Sequence, residues 1–309
     1  MHLLKNNFLR GFEPGGARII VILGQTATGK SDLAVKIAKK IGGEIISADS
    51  RQVYKGLDIG TGKITEKEMQ TIPHYLLDVA NPKKQFTVAQ YKILADKKIK
   101  EVIDRDKIPI LCGGTGFYID AVTKGMIFPK VPPNKKLRKD LEQKTAETLF
   151  NILKKLDKDR AKSIDSKNKV RLIRAIEIAK ALGEVPKITE ATPPYKFIKI
   201  GLKVPEKTLK RKIRIRLRKR IRSGMAIELY NLRKAGVPWK RFIELGFDQK
   251  YIALFLQGKI SNKEMLEKLF KSNWQYAKRQ MTWFKRDKEI KWFSPVSYKK
   301  IKIYIENKL

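Results

Sequence analysis

The chain has almost no cysteine and almost no histidine. Its single thiol, Cys112, excludes an internal disulfide. With two histidines, no CxxC pair and no H-E-x-x-H run, zinc chemistry has no support. No apolar run approaches the ~20 residues that a membrane-crossing helix needs. The opening Met1-His2-Leu3-Leu4-Lys5 lacks the long apolar core and small-residue cleavage site of a secretory leader. These absences point to a soluble cytoplasmic protein, with Cys112 a buried, inert thiol in the apolar run 108–112. Acid is scarce as well: 31 Asp and Glu stand against 69 Lys and Arg, a net charge of +38. Solubility needs far less, so the excess predicts a polyanionic partner. The apolar share of 42 % is ordinary for a globular chain, and 309 residues allow about two domains with ample core. No internal repeat is present.

What the chain does have is Gly24-Gln25-Thr26-Ala27-Thr28-Gly29-Lys30-Ser31, which fits G-x-x-x-x-G-K-[ST], the phosphate-cradling loop of nucleotide- and ATP-binding proteins. The β-branched run 18–23 precedes it and Leu33, Ile37 and Ile41 follow at helical spacing, so the context is strand, loop, helix. In such a loop, backbone N–H groups turn onto phosphate oxygens. Lys30 brings positive charge to the terminal phosphates, the helix N-terminus adds its own, and Ser31 is placed to ligate Mg²⁺. A second strand at 44–48 delivers Asp49-Ser50-Arg51-Gln52 at its C-terminal end, where open α/β sheets bind ligands. The glycine- and lysine-rich stretch 53–73 reads as a functional loop, and 74–79 as a further strand. A helical stripe over 87–106 leads to a strand at 108–112, which ends in Gly113-Gly114-Thr115-Gly116-Phe117-Tyr118. The strand–helix alternation implies a parallel sheet.

Pro129, Pro132 and Pro133 mark a change. Residues 134–183 read as amphipathic helices, and a strand at 197–204 rejoins the sheet. The expected fold is therefore α/β, a P-loop NTPase-like parallel sheet flanked by helices, with an all-helical insertion. Residues 1–128 and 195–309 form the core, 129–194 the insertion, and 1–17 a loose or edge segment. In 206–222, Leu209, Ile213, Leu217 and Ile221 repeat every fourth residue among ten cations that include Arg216, with no acid between Lys207 and Arg222. Such a helix repels itself by a few tenths of a kcal/mol per i,i+4 pair unless phosphates neutralise it. Between 274 and 286 aromatics interleave with cations. There Trp274, Met281 and Phe284 read as core, and Lys278, Arg279 and Gln280 as the functional candidates.

Three activities use such a loop. A nucleotide or small-molecule kinase explains it, with Asp49 or Asp78 as the acid at Mg²⁺, but needs no charge of +38. An RNA-binding ATPase explains loop and charge. A transferase whose loop grips a diphosphate leaving group while an RNA base attacks explains both together.

The loop 24–31, the block Ala48-Asp49-Ser50-Arg51-Gln52-Val53-Tyr54-Lys55-Gly56-Leu57-Asp58-Ile59-Gly60-Thr61-Gly62-Lys63, Pro73-His74, Gly113–Tyr118, Val170–Ile178 and Lys278–Lys285 occur in order. Together they resemble the tRNA dimethylallyltransferases, or isopentenyltransferases, over nearly the whole chain. That resemblance implies transfer of a dimethylallyl group from dimethylallyl diphosphate to N6 of adenosine 37, beside the tRNA anticodon, with Mg²⁺ and without ATP hydrolysis. It implies Asp49 as the base at N6 and Thr115 beside the reacting groups. Asp49, Ser50, Arg51 and Gln52 would touch the flipped base, and Arg216 the diphosphate. Arg138, Arg171 and Arg174 in the insertion would grip the anticodon stem, and Gly246, Phe247, Lys278, Arg279 and Gln280 would contact tRNA. The working unit is expected to be a monomer. The chain departs from the family pattern at Gln25, where proline is usual, at Arg218, where an acid is common, and at Gly246-Phe247-Asp248-Gln249, where the turn is usually Gly-Tyr followed by a cation.

Overall fold

The structure, a computed structural model, describes residues 16–309; all but the last two residues of the segment 1–17 lie outside the described residues. The chain divides into two compact units, one running to Lys124 and resuming over Thr192–Leu309, the other Gly125–Ala191.

The first unit begins with β1 (Arg18–Gly24), α1 (Lys30–Ile41), β2 (Gly43–Ala48), α2 (Glu66–Met69), β3 (His74–Tyr75), α3 (Val88–Ile103), β4 (Ile108–Gly113) and α4 (Gly116–Thr123). The insertion contributes β5 (Met126–Ile127), α5 (Lys135–Glu142), α6 (Ala146–Leu156), α7 (Lys158–Ser163), α8 (Lys169–Leu182) and β6 (Thr189–Glu190). The first unit resumes with β7 (Lys196–Leu202), α9 (Glu206–Arg222), α10 (Met225–Lys234), α11 (Trp239–Leu245), α12 (Phe247–Leu256), α13 (Asn262–Phe284), β8 (Lys291–Phe293) and α14 (Tyr298–Glu306).

Six strands form one sheet in the order β3-β2-β4-β1-β7-β8, every pair parallel. Strands buried on both faces are near-continuous apolar runs, as β1 is. Its alternate residues serve two cores: Ile19, Val21 and Leu23 face α3, α4 and the C-terminal helices, whereas Ile20 and Ile22 face α1 and α14. The register pairs Leu23 with Gly113, Ala48 with Gly113, and Gly24 with Leu202. The C-terminal ends of β1, β2, β4 and β7 therefore meet at one edge.

The strand expected over 74–79 pairs only at His74 and Tyr75, because Leu76 and Asp78 adopt positive φ of 62° and 56° and leave the extended conformation. Residues 291–293, unmarked by any alternation, add an edge strand.

The four helices of the insertion are short, and each starts on a side-chain cap: Asn134, Thr145, Asp157 and Asn168 accept from the N–H three residues on. Each cap contributes about 1 kcal/mol, which matters where a helix has few turns. Leu141, Leu149, Leu153, Leu172 and Ile176 close the core. The insertion is not helical throughout: β5 and β6 form a two-stranded antiparallel ribbon with Ile127 opposite Thr189. Its strands are too short for a period-2 pattern to register in sequence. The joins fall at 124/125 and 191/192 and not at the prolines, since the Ala191 N–H donates to the Gly125 carbonyl and closes the ribbon there.

Candidate functional site

The edge where the strands end carries a cleft lined by Thr26, Lys30, Ser31, Asp49–Gln52, Gly113, Gly114, Arg216, Phe247, Asp248, Tyr276 and Gln280, among others. Parallel strand register alone places the phosphate loop, the 49–52 turn and the glycine turn there. Arg216 and Arg220 arrive from α9, whose Leu209, Ile213 and Leu217 are buried and so fix which face turns to the cleft.

The phosphate loop closes on itself. The Lys30 ammonium donates to the Gln25 carbonyl at 2.7 Å, and the buried Thr28 hydroxyl donates to the same oxygen at 2.8 Å. Burial pushes the Lys30 pKa down to about 8, and the neighbouring Arg216 adds to the fall. Arg216 donates to Thr26 Oγ1 at 3.1 Å and to the Gly62 carbonyl at 3.0 Å, and burial lowers its pKa too. Two desolvated cations with no carboxylate in ion-pair contact among the described residues form an anion cradle.

The Asp49 carboxylate is held from one side only. Its Oδ1 accepts from the N–H groups of Arg51 at 2.8 Å and Gln52 at 3.3 Å, while Oδ2 has no hydrogen-bond partner among the described residues. Thr115 Oγ1 accepts from the Ser50 N–H at 2.9 Å and lies 3.3 Å from the Ser50 hydroxyl, so the two turns lock together. Gln52 donates to the Gly62 carbonyl at 3.3 Å.

Helix α13 ties these parts. Gln280, 5 % exposed, accepts from the Thr26 N–H at 2.8 Å and donates to the Gly114 carbonyl at 2.8 Å. A Cβ on Gly114 would stand 2.3 Å from the Gln280 amide nitrogen, so only glycine admits this approach. Gln25 donates to the Ala277 carbonyl at 2.9 Å. Gln25 thus adds a second staple between loop and helix. Tyr276, its pKa raised by burial, donates weakly to Gly114 O at 3.3 Å.

Phe247 lies at the cleft with the Arg51 guanidinium 5.3 Å and the Arg279 guanidinium 5.7 Å from its ring centre, and Tyr276 meets its edge. Gly246 and Phe247 both take positive φ. Lys278 and Arg279 are exposed. Of the residues expected to be core, Phe284 is fully buried and Trp274 and Met281 are half-buried.

In the insertion, Arg138 and Arg174 are turned inward. Both pair with the Glu177 carboxylate, whose side chain is 1 % exposed, and Arg174 also donates to the Val131 carbonyl at 2.8 Å. Burial alone would raise the Glu177 pKa; hydrogen bonds from the two guanidiniums and the Asn134 N–H outweigh it and bring a net fall. Arg171 is exposed. The other acid weighed for a metal, Asp78, is exposed and paired with Lys63 at 2.5 Å.

Sequence reasoning missed Arg220, Asn273 and Glu228, and it placed Asp248 only in the atypical turn 246–249, not at Arg220. Arg220 stands one turn beyond Arg216 and could have been found by that spacing. It ion-pairs with Asp248 at 2.7 Å, which Asn273 also contacts at 2.6 Å.

A parallel sheet whose first strand enters a glycine loop around a half-buried lysine, with a half-satisfied carboxylate alongside, defines a phosphate-gripping α/β enzyme. Comparison with known proteins narrows this class. The family model described as IPP transferase matches residues 52–287. The tRNA dimethylallyltransferase of Halothermothrix orenii is 37 % identical, covering 96 % of this chain and 94 % of its own. The tRNA dimethylallyltransferase 2 of Treponema denticola is 42 % identical over 86 % of this chain and 91 % of its own. Among solved structures, the tRNA isopentenylpyrophosphate transferase of Bacillus halodurans superimposes with a TM-score of 0.71 at 33 % identity, covering 94 % of this chain and 96 % of that one. A eukaryotic dimethylallyltransferase acting on tRNA gives 0.73 at 25 % identity, covering 91 % of this chain and 75 % of that one. The chain belongs to the IPP transferase family of tRNA dimethylallyltransferases, and is a prenyltransferase.

Proposed function

We propose that the protein transfers the dimethylallyl group of dimethylallyl diphosphate to N6 of adenosine 37 in tRNA and releases diphosphate. The observation that carries this reading is the pairing of an empty-handed carboxylate oxygen, Asp49 Oδ2, with the Lys30–Arg216 anion cradle in one cleft. A new bond forms between N6 and the allylic carbon as the bond from that carbon to the diphosphate oxygen breaks. The electron pair leaves with diphosphate, whose growing charge is stabilised by Lys30, Arg216 and the amides of Ala27–Ser31. The N6 proton passes to Asp49 Oδ2. General base catalysis of this kind contributes about 10²–10⁴-fold. Thr115, fixed by Ser50, orients the attacking amine.

Mg²⁺ fits the donor set. The Ser31 hydroxyl is a hard oxygen on the cleft beside Lys30, and Mg²⁺ commonly takes one or two protein ligands with the rest from substrate phosphates and water. When bound it would supply charge neutralisation on the diphosphate, with Ser31 as its protein ligand.

An anticodon-loop base is poorly paired, so turning it out of its stack costs a few kcal/mol or less. Ser50, Arg51, Gln52 and Phe247 would receive it, with Lys278, Arg279 and, in the insertion, Arg171 on phosphates. No helix among the described residues is long and apolar enough to cross a membrane, which agrees with a cytoplasmic tRNA-modifying enzyme.

The test is incubation with labelled dimethylallyl diphosphate and tRNA, followed by nucleoside analysis. N6-dimethylallyladenosine is expected; ready ATP consumption with an untouched prenyl donor would overturn the reading. The Asp49→Ala enzyme should turn over at least about 10²-fold more slowly with tRNA affinity nearly intact. Near-normal turnover would remove Asp49 from the mechanism.

A further inference from the structure

The loop 57–63 beside the cleft is gripped from outside. The carboxylate of Glu228, on α10, accepts the N–H groups of Asp58 at 2.8 Å, Ile59 at 2.6 Å and Gly60 at 2.8 Å. The carbonyls of Ile59 and Gly60 accept from Arg220. Three successive amides converging on one carboxylate form a nest, and a charged acceptor makes each bond stronger than a neutral one would be. Two residues on, the Gly62 carbonyl accepts from Arg216, whose other nitrogen reaches Thr26 of the phosphate loop. Arg216 has no carboxylate in ion-pair contact among the described residues. Among the described residues its guanidinium is aimed by these two neutral oxygens, and one of them belongs to the loop that Glu228 holds. Gly62 has φ +60°, and a Cβ there would stand 2.3 Å from an Arg216 nitrogen.

We infer that Glu228 is a positioning residue: by fixing the loop 57–63 it sets Arg216 against the diphosphate of the prenyl donor. The inference rests on the function proposed above. Glu228 itself touches no substrate. It acts through two relays, the backbone 58–62 and the Arg216 guanidinium.

A double-mutant cycle reads the coupling directly. Glu228→Gln replaces one acceptor oxygen by an NH₂ group that faces the amides. It should raise the KM for dimethylallyl diphosphate about tenfold and leave the KM for tRNA within about twofold. Arg216→Gln should raise the donor KM further still. The double variant should be no worse than Arg216→Gln alone, because the effect of Glu228 passes through the group already removed. Additive losses, or an equal rise in both KM values, would overturn the inference. Gly62→Ala supplies a second route that leaves Glu228 in place: its methyl displaces Arg216 and should give the same donor-only defect. Should Glu228→Gln fail to fold, a Gly62→Ala enzyme with an unchanged donor KM still overturns it. Pyrophosphate binding measured by calorimetry gives the same comparison without turnover. Wild-type enzyme that fails to prenylate tRNA refutes the proposed function; active wild type with an additive cycle refutes only the role of Glu228.

Discussion

Replacing Gln280 by leucine removes a side chain that does two things at once. Its carbonyl takes the Thr26 N–H and its amide donates to the Gly114 carbonyl, at 5 % exposure. Leucine has similar bulk and no polar atoms. The Thr26 N–H is then left without its partner, at about 1–3 kcal/mol, while Gly114 keeps its weak bond from Tyr276 and loses about 0.5–1.5 kcal/mol. The sum, about 1.5–4.5 kcal/mol, corresponds to a fall in Tm of roughly 3–18 °C for a unit of this size. Phosphate loop and glycine turn also come uncoupled. A displacement of about 1 Å between the leaving group and the attacking amine costs on the order of 10²-fold in rate. Thermal unfolding and single-turnover transfer of the labelled prenyl group measure both. Gln280→Glu sharpens the test. Protonated, it donates to Gly114 as the amide does; ionised, it sets charge against that carbonyl. Its turnover should therefore fall as pH rises through the carboxyl pKa, where wild type does not. A Gln280→Leu enzyme with wild-type Tm and a turnover within twofold would refute the bridging role.

Three further outcomes are expected. Lys30 titrates near pH 8 when folded against 10.5 when free, so between these values the unfolded chain holds the extra proton and the Lys30 contribution to stability rises with pH. Pyrophosphate needs the charged amine and should take up a proton on binding near pH 8.5, seen by calorimetry in buffers of different ionisation enthalpy; no uptake would mean the empty cradle already holds a charged lysine. Glu177→Ala strands two inward-facing guanidiniums and should destabilise the insertion by about 3–5 kcal/mol, detected as faster proteolysis within 125–191. Affinity for tRNA should fall steeply with salt, by about three orders of magnitude between 50 and 200 mM for about six phosphates neutralised; a flat response would make the cations decorative.

The sheet and the cleft were legible because they follow from local pattern. A β-branched run, a glycine loop and a helical stripe identify β1 and α1, and parallel pairing then forces Asp49 and Thr115 to the same edge. The face of α9 was legible from its four-residue repeat. What could not be read was which polar group meets which. The Arg174–Glu177 pair has helical i,i+3 spacing, but nothing in the spacing says that Glu177 is buried or that Arg138 joins it from another helix. The family resemblance made both guanidiniums RNA ligands, and the structure adds that both also pair with Glu177 while staying partly exposed. Gln280 and Glu228 are likewise polar residues on helices, and their partners lie 254 and 170 positions away. Sequence periodicity reports burial and carries nothing about partners at that range.

The long reach of those partners has a consequence for synthesis on the ribosome. The phosphate loop emerges among the first residues, yet the side chains that brace it to α13 join positions 252 and 254 residues apart. Contacts so distant in sequence form late, after the intervening chain is made. The insertion's own contacts fall within residues 125–191 and are all available before β7 is made. A nascent or C-terminally truncated chain would thus carry the complete glycine motif and still be unable to hold its donor. Translation to near the last helix becomes the event that switches the enzyme on.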